Sequence, residues 1–166
     1  MRNEKLKKET KRRIKRIGTI LFVLYILVLI YFLFFSEGFG RGQGAERVYR
    51  YNLTPLKEIR RFWVYREQLG FVAVFTNLVG NVVGFVPFGL ILPVINRNTR
   101  NLFFIGFAGF ALSLCVECIQ LVGKVGSFDV DDMILNTAGA VLGYLIFAVF
   151  HGIYKIKFEH KRRKRR

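Results

Sequence analysis

The sequence predicts an all-α integral membrane protein with four transmembrane helices. Three observations carry that reading. Four uninterrupted apolar stretches lie at residues 17–35, 71–95, 102–122 and 133–154, and none of them contains Lys or Arg. Apolar residues make up 52% of the 166-residue chain, with 18 Phe, and the mean hydropathy is +0.32. Basic residues gather at the two ends of the chain. Each stretch holds roughly 19 residues or more, which at ~1.5 Å per residue crosses ~30 Å of hydrocarbon.

The charge distribution orients the helices. Residues 1–16 hold nine Lys and Arg, the 96–101 turn two, and residues 155–166 eight. The intervening segments hold seven in 36–70 and one, Lys124, in 123–132. By the positive-inside rule both termini and the 96–101 turn are expected in the cytoplasm. The chain then divides into a basic tail (1–16), an anchor helix (17–35), an extracytoplasmic segment (36–70), a three-helix core (71–154) and a second basic tail (155–166). The net charge of +16 does not point to nucleic acid, because no recognition fold accompanies it. The tails are topology signals that also meet anionic lipid. The first stretch reads as an uncleaved anchor: it is long for a signal sequence, and Ser36-Glu37-Gly38-Phe39-Gly40 lacks a small-x-small cleavage pattern. Cys115 and Cys118 lie within the third stretch, so no disulfide framework is expected.

Between the first two spans, residues 36–46 are rich in Gly and polar residues and read as a flexible connector. Thr54 followed by Pro55 is a helix-start signal, with Thr54 as N-cap and Pro55 at the first helical position. Leu56, Ile59, Phe62, Trp63 and Leu69 then recur near helical spacing among Lys57, Arg60, Arg61 and Arg66, and Gly70 closes the segment. This basic amphipathic helix suits the outer membrane interface and is also able to pack on the outer ends of the spans. In the second span Asn77 and Asn81 are four apart and are expected on one face, beside the small pair Gly80 and Gly84. Pro87 is expected to kink the helix, and Pro93 lies near its inner end. Asn136, Gly139, Ala140 and Gly143 form a stripe on the fourth span where a neighbouring helix is able to approach closely.

The polar residues of the spans converge in depth. Glu117 is the sole acid of an otherwise uncharged apolar stretch, about five residues from its outer end, with Gln120 on the same face. Asp129, Asp131 and Asp132 occupy the short hairpin that follows, and Asn136 lies one turn into the fourth helix. An ionised carboxylate in hydrocarbon is costly, so such a residue is a site hypothesis by default. The candidate ligand-binding set is therefore Asn77, Asn81, Glu117, Gln120, Asp129, Asp131, Asp132 and Asn136. The competing reading is interhelical hydrogen bonding, at ~0.6–2 kcal/mol per contact. Glu117 would need a partner: a cationic ligand group, a metal, or a loop cation such as Lys124 or Arg66. Asp131 and Asp132 are placed to cap the fourth helix, or, with Asp129, to offer hard oxygen ligands to Mg²⁺ or Ca²⁺. Asp129 and Asp132 are the metal candidates, and no other cofactor is expected.

Other chemistry finds little support. The Cys115-x-x-Cys118 pair reads as small packing residues within a span. His151 and His160 fall near the cytoplasmic end, away from the cluster. Ser113 and Ser127 have no His at their depth, so no nucleophile–His–acid set is visible. No phosphate loop or zinc pattern occurs.

Taken in order, these motifs resemble a known family. Asn77-Leu-Val-Gly-Asn81-Val-Val-Gly-Phe-Val-Pro87-Phe-Gly89 is similar to the signature of VanZ-like membrane proteins. Glu117-Cys-Ile-Gln120, then Phe128-Asp129-Val-Asp131-Asp132-Met-Ile-Leu-Asn136-Thr-Ala-Gly139 and Gly143, resembles its second half, and Asn52-Leu53-x-Pro55 resembles the segment that often precedes them. The resemblance covers about residues 49–150. It implies a small multi-pass protein of the bacterial cytoplasmic membrane, common in Gram-positive organisms, from a family named for a protein associated with resistance to the glycopeptide teicoplanin. By motif, Asn81, Glu117, Gln120, Asp129, Asp132 and Asn136 are the positions carried over. The Gly123-Lys124-Val125-Gly126 hairpin is shorter than that of many relatives, which often carry an Arg there.

Three functions are compatible with these residues. The first is a non-enzymatic envelope protein that binds a lipid-linked cell-wall precursor or a glycopeptide-type ligand at an outer-leaflet polar pocket and so lowers teicoplanin-class sensitivity. Glu117 would anchor the ligand, Gln120 and Asn136 orient it, and the 129–132 carboxylates form the mouth. The second is a membrane enzyme acting on a lipid phosphate or cell-wall precursor, with Glu117 as general acid or base and a divalent ion on Asp129 and Asp132. The third is a proton-coupled lipid transporter. Membrane lipid is the partner common to all three.

Overall fold

The computed structural model describes residues 2–35 and 49–163, with side-chain surroundings for 9–32 and 49–157. The connector expected at 36–46 and the Ser36–Gly40 stretch lie outside the described residues, as does the side chain of His160. The chain runs α1 (Arg2–Phe35), β1 (Tyr51–Asn52), α2 (Lys57–Val64), α3 (Arg66–Leu69), α4 (Phe71–Val74), a π-helical turn (Phe75–Val79), α5 (Gly80–Ile95), a 3₁₀ turn (Arg97–Thr99), α6 (Leu102–Gly123), β2 (Phe128–Asp129) and α7 (Val130–Arg163). Four segments are long and apolar enough to cross a membrane: Glu9–Phe32, Phe71–Ile95, Leu102–Val122 and Val130–Lys157. The protein is thus an all-α, multi-pass membrane protein. Helix continues outward from the first and last spans, since α1 includes residues expected as a basic tail and α7 extends to Arg163.

Helix α7 is the central element. It packs most extensively on α5, then on α6, while α1 lies against α5. The small-residue stripe of α7 makes this possible. Gly139 faces the backbone carbonyl of Val82, and Gly143 faces that of Val86 together with the Leu90 amide. On the other side of the contact Gly89 faces the carbonyl of Ala140, and Gly109 of α6 faces the Ala140 methyl. A Cβ at Gly89, Gly139 or Gly143 would meet backbone, which cannot swing aside. Close approach of this kind replaces the hydrophobic driving force that helices lack in lipid. Gly80 and Gly84 have looser surroundings, so the tight seam of the second span runs through Gly89 instead. Phe88, Ile105 and Ala140 form the buried core, with Phe22, Tyr25, Leu92 and Tyr144 packed against it. The Tyr25 hydroxyl donates to the Gly84 carbonyl at 2.9 Å, tying α1 to α5.

Two local expectations are corrected. The amphipathic helix begins at Lys57 rather than at Pro55, after Leu56 adopts a left-handed conformation (φ 64°), and Thr54 makes no side-chain cap. Its first turn is satisfied from elsewhere in the chain, as described below. The helix also breaks at Tyr65 before α3; Gly70 (φ 80°) ends it as expected. In the second span, α5 runs through both Pro87 and Pro93, and the interruption of the α-helical ladder is the π turn at Phe75–Val79. A π turn adds a residue per turn and rotates what precedes it. The Asn77 amide donates to the Ala73 carbonyl of its own helix at 2.8 Å, whereas Asn81 bonds across to α7.

At one end of the bundle, the two-residue strands β1 and β2 pair in parallel, Tyr51 with Phe128 and Asn52 with Asp129. The Phe128 amide adds a bond to the Arg50 carbonyl at 3.0 Å. This pairing, absent from an all-α expectation, joins the segment before α2 to the hairpin between α6 and α7. At the other end the 96–101 turn is closed by its own side chains. Asn96 accepts from the Asn98 amide at 3.0 Å, Asn101 accepts from Phe104 at 3.1 Å to cap α6, and Arg100 Nε donates to the Pro93 carbonyl at 2.9 Å.

Candidate functional site

The hairpin carboxylates are held by backbone N–H groups and amides. The Asp129 amide donates to Glu117 Oε2 at 2.8 Å, so the buried acid of α6 receives the start of β2–α7. Asp129 Oδ1 accepts from Asn52 Nδ2 at 3.0 Å and from the Asp131 amide at 2.9 Å. Asn52 in turn accepts the Thr54 amide at 3.2 Å, turning the chain toward α2. Asp131 then reaches across to α2. Its Oδ1 accepts from the Leu56 amide, and its Oδ2 accepts from Glu58 at 2.6 Å and Ile59 at 3.1 Å.

Asp131 is therefore the N-terminal cap of α2, supplied from more than 70 residues away. The sequence offered it as a cap for the fourth helix, on which it sits; the structure directs it to a different helix. The reason is electrostatic. The first amides of α2 carry a partial positive charge and have no intrahelical acceptor, and Thr54 sits too early to serve them because Leu56 turns the backbone in between.

Asp132, next in sequence, points elsewhere. Its Oδ1 accepts from Asn81 Nδ2 at 2.5 Å, linking α7 to α5. One turn deeper, Asn136 Nδ2 donates to Ser113 Oγ at 2.8 Å, linking α7 to α6. Asn136 is 2% exposed, and its Oδ1 has no hydrogen-bond partner among the described residues. Gln120 lies over Gly126, and its backbone carbonyl accepts from Val125 at 3.0 Å.

A cavity of about 130 Å³ opens between α2, the hairpin and the first turns of α7. Asp129, Asp131 and Asp132 line it with Asn77 and Ser127, and α2 contributes Glu58, Ile59, Arg61 and Phe62. Glu58 and Arg61 form an ion pair at 2.8 Å. Of the candidate set, Asn77, Asp129, Asp131 and Asp132 lie on the cavity wall. Asn81, Glu117, Gln120 and Asn136 do not line it. Glu117 and Asn136, each 2% exposed, are buried behind it, and Glu117 acts on the cavity through the Asp129 backbone.

The cations considered for Glu117 are engaged elsewhere. Lys124 Nζ lies 4.5 Å from the Tyr49 ring centroid, and Arg66 donates to the Trp63 carbonyl at 3.0 Å. As for metal, among the described residues no group of three or more His, Cys, Asp or Glu is arranged to hold an ion. Asp129 and Asp132 each commit one oxygen to an Asn amide. Cys115 and Cys118 are exposed on the outside of α6, facing what would be lipid, and so are not the packing residues expected. His151 stacks on Phe147 at 5.4 Å near Arg100, at the opposite end of the bundle.

Four residues of this region escaped the sequence reading. Ser113 was set aside for want of a His, yet it is fully buried and is the acceptor for Asn136. Arg61 stands in the sequence only as one cation of the amphipathic pattern, and Glu58 carries no signal of its own there. Asn52 carried the clearest signal, since an Asn two residues before Thr54-Pro55 is a common turn-former, but nothing in the sequence linked it to Asp129.

No solved structure matches the chain. The protein named Protein VanZ of Enterococcus faecium is 36% identical over 77 residues, a match covering 45% of this chain and 46% of that protein. The match thus spans about half the length of this curated relative. The VanZ/LLP1 family model matches residues 22–151, which takes in α5, α6, the hairpin, the network around Asp129 and most of α7, and the chain belongs to that family.

Proposed function

We propose that this protein is an envelope protein of the bacterial cytoplasmic membrane that binds a lipid-linked or glycopeptide-type ligand in the cavity beneath α2, and so lowers sensitivity to teicoplanin-class antibiotics. The hairpin end is taken as the outer one, on the excess of Lys and Arg in the termini and the 96–101 turn. The observation that carries the reading is the cavity: a polar hollow at the end of a membrane bundle, walled by Asp129, Asp131 and Asp132 and backed by buried Glu117. Membership of the VanZ/LLP1 family supports the link to resistance.

The lining indicates what kind of group would enter. Glu58, Asp129, Asp131 and Asp132 face it with Arg61 as the cation, and Arg61 is already paired with Glu58. A bare phosphate would meet carboxylates at close range, which is unfavourable at low dielectric. Hydroxyl, amide and ammonium groups would find acceptors. This favours the sugar and peptide portions of a cell-wall precursor or glycopeptide over a lipid phosphate. In this reading Asp132 contacts the ligand while Asn81 orients it, and Glu117 holds the Asp129 backbone in place.

The test is teicoplanin sensitivity of a susceptible Gram-positive host expressing the wild type, Asp132→Asn and Glu117→Gln at matched membrane levels. Protection by the wild type and its loss in Asp132→Asn supports the reading. Equal protection by all three makes the polar cluster interhelical packing. An unprotected wild-type strain breaks the link between this chain and resistance.

A further inference from the structure

Helix α2 has two faces with different chemistry. Glu58, Ile59, Arg61 and Phe62 line the cavity. Lys57, Arg60, Trp63 and Val64 are spaced by three and four residues and form the opposite face. All four are exposed, with Trp63 at 65% and Val64 at 54%. The acid of this helix, Glu58, is on the cavity side and bound to Arg61. The outward face therefore combines two cations, an indole and an apolar side chain, and no carboxylate.

Position adds a second argument. Phe71 begins a membrane span, and Val64 precedes it by seven residues, with the helical path broken at Tyr65 and Gly70, so α2 is tethered within about 25 Å of the start of that span. A tether that short keeps α2 near the headgroup region, where Trp is favoured and where Lys and Arg meet lipid phosphates. Arg66 stands over the Trp63 ring at 5.6 Å and brings a further cation to the same place. The N-terminus of the helix is clamped to the hairpin by Asp131, so the outward face is held in one orientation rather than free to turn.

We propose that the outward face of α2, made of Lys57, Arg60, Trp63 and Val64, seats on anionic phospholipid headgroups. Lipid then holds α2 from outside while Asp131 holds it from inside, and the wall of the cavity is set by both. The inference does not depend on what the cavity binds.

Trp63 is the single Trp of the chain and reports its own surroundings. The full chain is reconstituted in nanodiscs of phosphatidylcholine alone and of equal parts phosphatidylcholine and phosphatidylglycerol, and Trp63 emission is quenched with lipids brominated at the headgroup end of the acyl chain. Quenching about twofold stronger in the anionic discs, declining as salt is raised, is expected from headgroup attraction. The double variant Lys57→Gln, Arg60→Gln removes the lipid dependence. Equal quenching of the wild type in the two lipids, or a lipid dependence that survives the double variant, overturns the proposal. Should the variant fail to fold, the wild-type lipid and salt series decides it alone.

Discussion

The two ends of the bundle solve the same problem in opposite ways. Each must satisfy backbone and side-chain polar groups where helices stop. At the 96–101 turn the partners are mostly local, with Arg100 alone among these side chains reaching across to α7. Thr99 donates to the carbonyls of Leu92 and Asn96, Asn96 and Asn101 accept from amides two and three residues on, and Arg100 Nε reaches the Pro93 carbonyl, while its guanidinium also stands 3.4 Å from His151 on α7. At the hairpin end the partners are remote: Asn52 with Asp129, Asp131 with the amides of Leu56, Glu58 and Ile59, and Asn81 with Asp132 lie 51 to 77 residues apart. Amides and an Arg are enough to close a turn. The hairpin end uses carboxylates, which cost more to bury, and a cavity opens beside them.

The difference has measurable consequences. The largest is expected for Asp131→Ala, which leaves three amides of α2 without an acceptor. Hydrogen bonds to a charged acceptor at a helix start suggest a loss of about 2–3 kcal/mol. Amide exchange at Leu56, Glu58 and Ile59 should rise by at least about tenfold, while the 96–101 amides keep wild-type protection. If exchange at α2 does not change, the remote cap is not what holds that helix.

A smaller effect is expected for the Asn52–Asp129 pair. A double-mutant cycle with Asn52→Ala and Asp129→Ala should give a coupling energy of about 1 kcal/mol, read from unfolding in mixed detergent micelles. Additive losses would mean that the 3.0 Å contact contributes little. Below this comes Asn101→Ala, which removes the α6 cap at a cost of about 0.5–1 kcal/mol. Combined with Asp131→Ala it should add without coupling, because the two sites sit at opposite ends and share no partner; a coupling term would show that the ends communicate through α6 or α7.

The smallest change is expected deep in the bundle. Asn136 leaves its Oδ1 unpaired and gives its amide to Ser113. Replacing both at once, Ser113→Ala with Asn136→Leu, should leave stability within about 0.5 kcal/mol, because both polar partners depart together. Loss of protection against teicoplanin in that stable double variant would give the pair a role beyond packing. Strong destabilisation would instead make the Ser113–Asn136 contact a structural requirement.

The contrast also explains what was legible in advance. The four spans could be read directly, because a run of some 20 apolar residues has few options besides a membrane helix. The stripe Gly139–Gly143 was visible as a place of close approach, although which backbone it meets was not. The polar residues of the hairpin end were visible as a set but not as pairs. Nothing in the spacing of Asp131 indicates α2, and the local rule assigned its carboxylate to the helix that carries it. Asn77 and Asn81 looked equivalent, yet one amide turns back on its own helix and the other crosses to Asp132, a difference that spacing alone does not show. The cap expected at Thr54 failed because Leu56 takes positive φ, a conformation that Leu seldom adopts and that tertiary contacts impose here.

What the sequence determined by itself is therefore the solvent and the class: apolar length marks four helices for lipid, and the spread of Lys and Arg sets the orientation expected of them. Burial of Glu117, the division of the polar residues between a cavity wall and the network behind it, and the capping of α2 by Asp131 were decided only by tertiary structure. The physical reason is range. Hydrophobic length and helix spacing act within one segment and can be counted along the chain, whereas a buried carboxylate takes whichever remote donor the packed helices bring to it.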